Sequence, residues 1–112
     1  MQNIANAARD FIEAIKHSNL YIDYQNQLSV LKEDEELYKS FNDFRKDYYG
    51  LLSSSEDSFE KMEEVTQRYR YVLDNPKVSG FMKAEDKFCL SIKEIYSAIA
   101  EKLDLDMDFI EM

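Results

Sequence analysis

Apolar residues return every third or fourth position through nearly the whole of this chain, and almost nothing interrupts them. That period lays one stripe of side chains along a helix of 3.6 residues per turn and does not suit the two-residue period of a strand. Only two glycines and one proline punctuate the 112 residues, so turns are few and helices long. The expectation is an all-α chain of about five helices, an antiparallel helical hairpin packed in bundle fashion with a long C-terminal helix.

The boundaries follow from the few residues that stop or cap helices. A first helix carries Ile4, Ala8, Phe11 and Ile15 on one face and ends near His17, where Ser18 and Asn19 close it and cap the next. Tyr21, Tyr24, Leu28 and Leu31 mark the second. Asp34 is an N-cap for the third, with Glu35 and Glu36 in the first turn, where the helix dipole favours negative charge. Leu37, Phe41, Phe44, Tyr48 and Leu51 then follow at spacings of 4, 3, 4 and 3, a narrow seam that closes at Gly50 and Ser53-Ser54-Ser55. A fourth helix, starting near Ser55 or Ser58, repeats the seam with Phe59, Met62, Val65, Tyr69 and Val72. The short connection between two such seams implies antiparallel packing.

Asp74-Asn75-Pro76 is the sharpest break. Asn75 suits an N-cap, and Pro76 suits the first helical position, where its missing N–H costs nothing. The fifth helix runs from there to about Leu103, with Val78, Phe81, Phe88, Ile92, Ile95, Ile99 and Leu103 on its apolar face. At 1.5 Å per residue it is a rod of about 42 Å, against about 28 Å for each hairpin helix. Such a face needs cover along its whole length. The first two helices in tandem supply part of it, and a second copy of the chain, as a dimer or tetramer, supplies the rest. Asp104 to Met112 reads as an acidic tail to a single domain spanning 1–112.

Charge bounds the partners. With 23 acidic against 14 basic residues the net charge is −9, so direct contact with nucleic acid is disfavoured, because phosphate neutralisation needs a basic face. An anionic membrane surface is disfavoured on the same ground. A basic protein partner fits better. One cysteine, Cys89, leaves no internal disulfide to form. With no leader-like start and no run of about 20 apolar residues, the expected location is the cytoplasm.

No residue stands out as catalytic. His17 is the single histidine and sits at a helix end, where a side chain able to carry positive charge is favoured. Cys89, between Phe88 and Leu90, reads as a small buried hydrophobe rather than a reactive thiol. Asp104, Asp106, Asp108 and Glu111 alternate like the start of a calcium loop. Phe109 stands where that loop needs glycine, and a solvated acidic tail is the better reading. No cofactor is expected. The reading from a different class, a metal- or cofactor-binding helical bundle, would need Glu-x-x-His pairs that are missing here.

Glu85 falls on or beside the seam, one heptad from both Val78 and Ile92. If buried it would need a partner and would set register between helices; if it flanks the seam it reaches water. Tyr38, Tyr49 and Tyr71 fall off the seams and are the candidates for a partner surface, since exposed aromatics anchor interfaces.

The order of features resembles a known family. Ala14-Ile15-Lys16-His17-Ser18 is followed by Tyr21 and Tyr24, a break between Leu31 and Asp34, a helical hairpin, then Asn75-Pro76-Lys77-Val78 and Phe81-Met82-Lys83-Ala84-Glu85. From about Ala5 to Leu105 the chain resembles the YlbF/YmcA family of small bacterial helical proteins, which includes YheA-like members. The resemblance implies an all-α fold, self-association and a non-enzymatic regulatory role. Studied relatives regulate competence, sporulation and biofilm formation in a complex linked to ribonuclease Y and messenger-RNA processing. Some relatives also hold an iron–sulfur cluster with cysteines of a C-terminal tail. Here the only cysteine lies inside the fifth helix, so the resemblance carries no cluster over to this chain alone.

Overall fold

The computed structural model describes residues 2–53 and 59–104, and every regular element among them is an α-helix. In order they are α1 (Gln2–Lys16), α2 (Asn19–Glu33), α3 (Glu35–Leu52), α4 (Phe59–Arg68), α5 (Arg70–Leu73) and α6 (Pro76–Lys102). The caps fall where the sequence places them. Ser18 Oγ accepts from the Tyr21 N–H at 3.3 Å while donating to the Ile15 carbonyl at 2.6 Å, so one hydroxyl ends α1 and starts α2. Asp34 accepts from Leu37 N–H at 3.3 Å, with Glu35 and Glu36 in the first turn of α3. Asn75 accepts from Lys77 N–H at 2.9 Å with Pro76 directly behind it. At the far end of α6, Asp104 takes a φ of 58°, the left-handed turn that commonly ends a helix.

The fourth predicted helix is two. It breaks at Tyr69, whose φ of −101° and ψ of 18° leave helical geometry although no glycine or proline stands nearby. The cause is tertiary: the Tyr69 ring packs edge-on against Phe44 at 5.7 Å, and its hydroxyl donates to Asp47 of α3 at 3.0 Å. The predicted start of that helix, near Ser55 or Ser58, lies outside the described residues.

The core forms where α2 runs antiparallel to α6. Tyr21 meets Phe88 at 5.5 Å and Tyr24 meets Phe81 at 5.4 Å, so partner numbers fall along α6 as they rise along α2. The same direction brings Gln27 to Gly80, where an added Cβ would stand 2.8 Å from the Gln27 Oε1. It ends with Lys77 beside Asp34 at 3.6 Å. α3 then lays Phe41 edge-on to Phe81 at 5.9 Å, and Arg45 covers both rings. Leu31, Phe41, Val72, Val78 and Phe81 are the side chains sealed from water, with Phe44 and Val65 continuing the cluster under the α3–α4 hairpin.

The rest of the molecule stands away from this core. Its radius of gyration is 17.9 Å, against about 13 Å for a compact chain of this length. α2 is only 15 residues and is used up near Phe88, so among the described residues it does not extend along α6 beyond that point. α1 approaches α2 at their junction and does not lie along α6, contrary to the expected tandem cover. Ile92, Ile99 and Leu103, expected as core, are therefore exposed, although Ala100 among them is buried.

Phe81 joins α2, α3 and α6 at one point, so Phe81→Ala should cost about 3–5 kcal/mol, the range for truncating a buried aromatic. Asn75→Ala, which removes one cap, should cost about 1 kcal/mol. Urea denaturation followed by circular dichroism checks both values and their order.

Candidate functional site

The residues singled out for chemistry do not assemble. His17 Nδ1 donates to the Glu13 carbonyl at 2.7 Å, which ties the imidazole to the end of α1. Cys89 is exposed, not buried as expected: Phe88 turns in towards Tyr21 and Tyr24, and one further step of about 100° carries the next side chain out to solvent. Asp106, Asp108 and Glu111 lie outside the described residues. Among the described residues no three His, Cys, Asp or Glu side chains come together as a metal site would require.

The hollows are shallow and open to solvent. One of about 680 Å³ is lined by Glu60, Glu63, Glu64, Gln67 and Arg68 along α4. Another, of about 460 Å³, lies on α3 between Asn42, Arg45, Lys46 and Tyr49. Neither is an enclosed cleft able to bury most of a small molecule's surface, as a small-molecule pocket does.

The tyrosines predicted to face a partner divide. Tyr49 is 58% exposed, held edge-on against Tyr48 at 5.8 Å, and stands beside Arg45 and Lys46. Tyr71 is 69% exposed on the short α5, with Arg70 beside it in sequence. Tyr38 instead packs partly buried against the core, under Lys32 at 5.8 Å. Glu85 is half-buried, and among the described residues no hydrogen bond or ion pair joins it to another helix. Its charge is felt at Tyr24, whose phenol is pushed above its ordinary value first by burial and then by Glu85.

The sequence expects the face of the long last helix to exceed what its own chain can cover, but it places Ile4 and Phe11 of α1 as part of that cover, and these stand exposed instead. α1 leaves Ile4, Phe11 and Ile12 bare, and the end of α6 leaves Ile92, Tyr96, Ile99 and Leu103 bare. Scattered exposed apolar residues are ordinary, but contiguous stripes on two helices mark contact surfaces. The signal was available in part: a fifth helix of about 28 residues is longer than any neighbour able to cover it.

The profile of the family described as "Control of competence regulator ComK, YlbF/YmcA" matches residues 4–104. A UPF0342 protein of Clostridium tetani is 23% identical over 111 residues, covering 96% of each chain. A UPF0342 protein of Bacillus pumilus is 26% identical over 106 residues, 91% of this chain and 90% of its own. No solved structure matches. The chain belongs to the YlbF/YmcA family. No helix among the described residues is long and apolar enough to cross a membrane.

Two measurements follow from these placements. Native Cys89 should react with a thiol reagent about as fast as in the unfolded chain; slow modification would mean the thiol is covered. The Tyr69 phenol is raised above its ordinary value, chiefly by its bond to Asp47 and then by burial. Its contribution to stability is therefore complete below the unfolded value of about 10 and is lost as pH rises through the raised folded value. Asp47→Asn should lower that midpoint in a spectrophotometric tyrosine titration and leave the other midpoints in place.

Proposed function

We propose that this member of the YlbF/YmcA family is a non-catalytic regulatory adaptor of the bacterial cytoplasm, a single helical unit that works by binding protein. The observation that carries the reading is the contrast between its surfaces. Large apolar side chains stand bare on all six helices, most of all on α6, while the hollow along α4 is open, shallow and lined mostly by charged residues. A chain built to transform a small molecule spends its buried polar groups in a pocket; this one spends apolar surface on solvent, which is favourable only when another protein covers it.

The family's description as control of the competence regulator ComK supports a developmental process as the regulated target. The finer reading is that the chain enters an assembly acting on ribonuclease Y and messenger-RNA processing, and it rests on the resemblance to studied relatives. The net charge of −9 favours a partner with a basic face. Among the exposed aromatics, Tyr49 and Tyr71 are the ones offered to it, because aromatic side chains often anchor interfaces.

Affinity purification of the tagged chain from its own cells, followed by mass spectrometry, tests this. A defined partner should be recovered in stoichiometric amount and should be reduced by about tenfold or more on Tyr49→Ala or Tyr71→Ala, as expected when an interface anchor is truncated. Recovery of the bait alone would count against the adaptor reading, and so would a turnover activity in the purified protein.

A further inference from the structure

Within a chain of net charge −9, α3 carries a stripe whose only charges are positive. Asn42, Arg45, Lys46 and Tyr49 follow at spacings of 3, 1 and 3, which sets all four on one face of the helix. They line the open hollow of about 460 Å³, and no acidic side chain lines it with them.

The acids of this part of α3 stand on another flank. Asp43 and Asp47 each follow a member of the stripe by one residue, and a step of about 100° carries them round the helix. There Asp47 accepts from the Tyr69 hydroxyl at 3.0 Å, and the charges of both aspartates push the Tyr69 phenol up. The carboxylates thus turn to the hairpin and leave the stripe to the cations.

Arg45 is held in place before any partner arrives. Its guanidinium lies 4.4 Å from the centre of the Phe41 ring and 5.9 Å from that of Phe81, and it donates to the Asn42 side-chain oxygen. Two sealed rings and an amide therefore restrain a side chain that is costly to order when free. Among the described residues neither Arg45 nor Lys46 is in an ion pair. Glu85 and Arg45 are both felt at Tyr24, yet no ion pair joins them. The half-buried guanidinium keeps further N–H donors unspent. Beyond it the stripe opens: Tyr49 is 58% exposed, and nothing stands within 4 Å of where a Cβ on Gly50 would lie.

We propose that this stripe docks an acidic segment of a protein partner, with carboxylates on Arg45 and Lys46 and an apolar part against Tyr49. The proposal rests on the reading that the chain works by binding protein, and it supplies the chemistry of one contact. Charge and shape select this occupant. Backbone N–H groups in the middle of a helix are spent on its own carbonyls, so they form no nest for a free phosphate. A small acid finds no enclosed cleft. A nucleic acid or an anionic membrane meets the repulsion of the whole chain before two cations can hold it. An acidic patch on an otherwise neutral or basic protein is drawn by both the net charge and the stripe. The stripe also sets the register of docking, because a carboxylate displaced towards Asp43 or Asp47 is repelled.

The full chain carrying Gly50→p-benzoylphenylalanine, irradiated in its own cells, reads the occupant directly, since the attached peptide is sequenced after digestion. That peptide should come from a different protein and hold Asp or Glu on either side of the cross-linked position. A synthetic copy, titrated against the purified chain, should bind more weakly as salt rises. Lys46→Glu alters an exposed side chain and should weaken binding about tenfold or more at unchanged helicity. Lys in place of the peptide's acids should restore binding to that variant and not to the parent chain. Arg45→Met keeps an aliphatic cover over Phe41 and Phe81 and should weaken binding at least as much.

A cross-linked peptide without acidic residues overturns the proposal, and so does an affinity indifferent to Lys46→Glu. Cross-linking to a second copy of this chain, to lipid or to nucleic acid overturns it as well. A partner cross-linked from Tyr71→p-benzoylphenylalanine but never from position 50 overturns this surface while the adaptor reading stands. No partner from either position overturns both.

Discussion

Everything in this fold hangs on the antiparallel contact between α2 and the first half of α6. Tyr21, Tyr24, Phe81 and Phe88 stack along it, and Gly80 lets Gln27 come close enough to hold the register. With that register set, Asp34 lies beside Lys77, so the start of α3 and the start of α6 are brought to one end of the core. α3 can then deliver Phe41 onto Phe81, and the hairpin that follows closes Val65 and Val72 over the remaining apolar surface. A core this small leaves little reserve, because native stability is a small difference between large opposing terms.

The same contact determines what is left over. A helix of 15 residues cannot cover one of 27, and α2 is aligned with the beginning of α6 rather than its middle. The excess length of α6 is thereby directed outward, next to the point where α1 departs. The molecule's extents of 48 × 37 × 20 Å are the visible result. Function, on this account, lies in the mismatch between helix lengths and not in any cluster of reactive groups. The exposed tyrosines on α3 and α5 lie off these two helices.

Local signals were legible and tertiary ones were not. Ser18, Asp34 and Asn75 act on the backbone within three residues of themselves, and their caps are where the sequence places them. The break at Tyr69 was invisible because it comes from Phe44 and Asp47, 25 and 22 positions away in the chain. Cys89 was misassigned because its neighbours Phe88 and Leu90 are apolar, although adjacent residues on a helix point about 100° apart. Periodicity has a deeper limit. It reports that a face is meant to be buried but not by what, so the stripe of Ile4, Phe11 and Ile15 reads the same whether its cover is the chain's own core or another molecule. Tyr38 shows the converse, a residue off the seam that still finds cover under Lys32.

The claim that α1 and the distal part of α6 exist to be covered is tested most directly by amide hydrogen exchange followed as a function of protein concentration. Both should be protected at high concentration and lose that protection on dilution. The α2–α3 core should remain protected throughout. Protection of either that does not change with concentration would contradict the account.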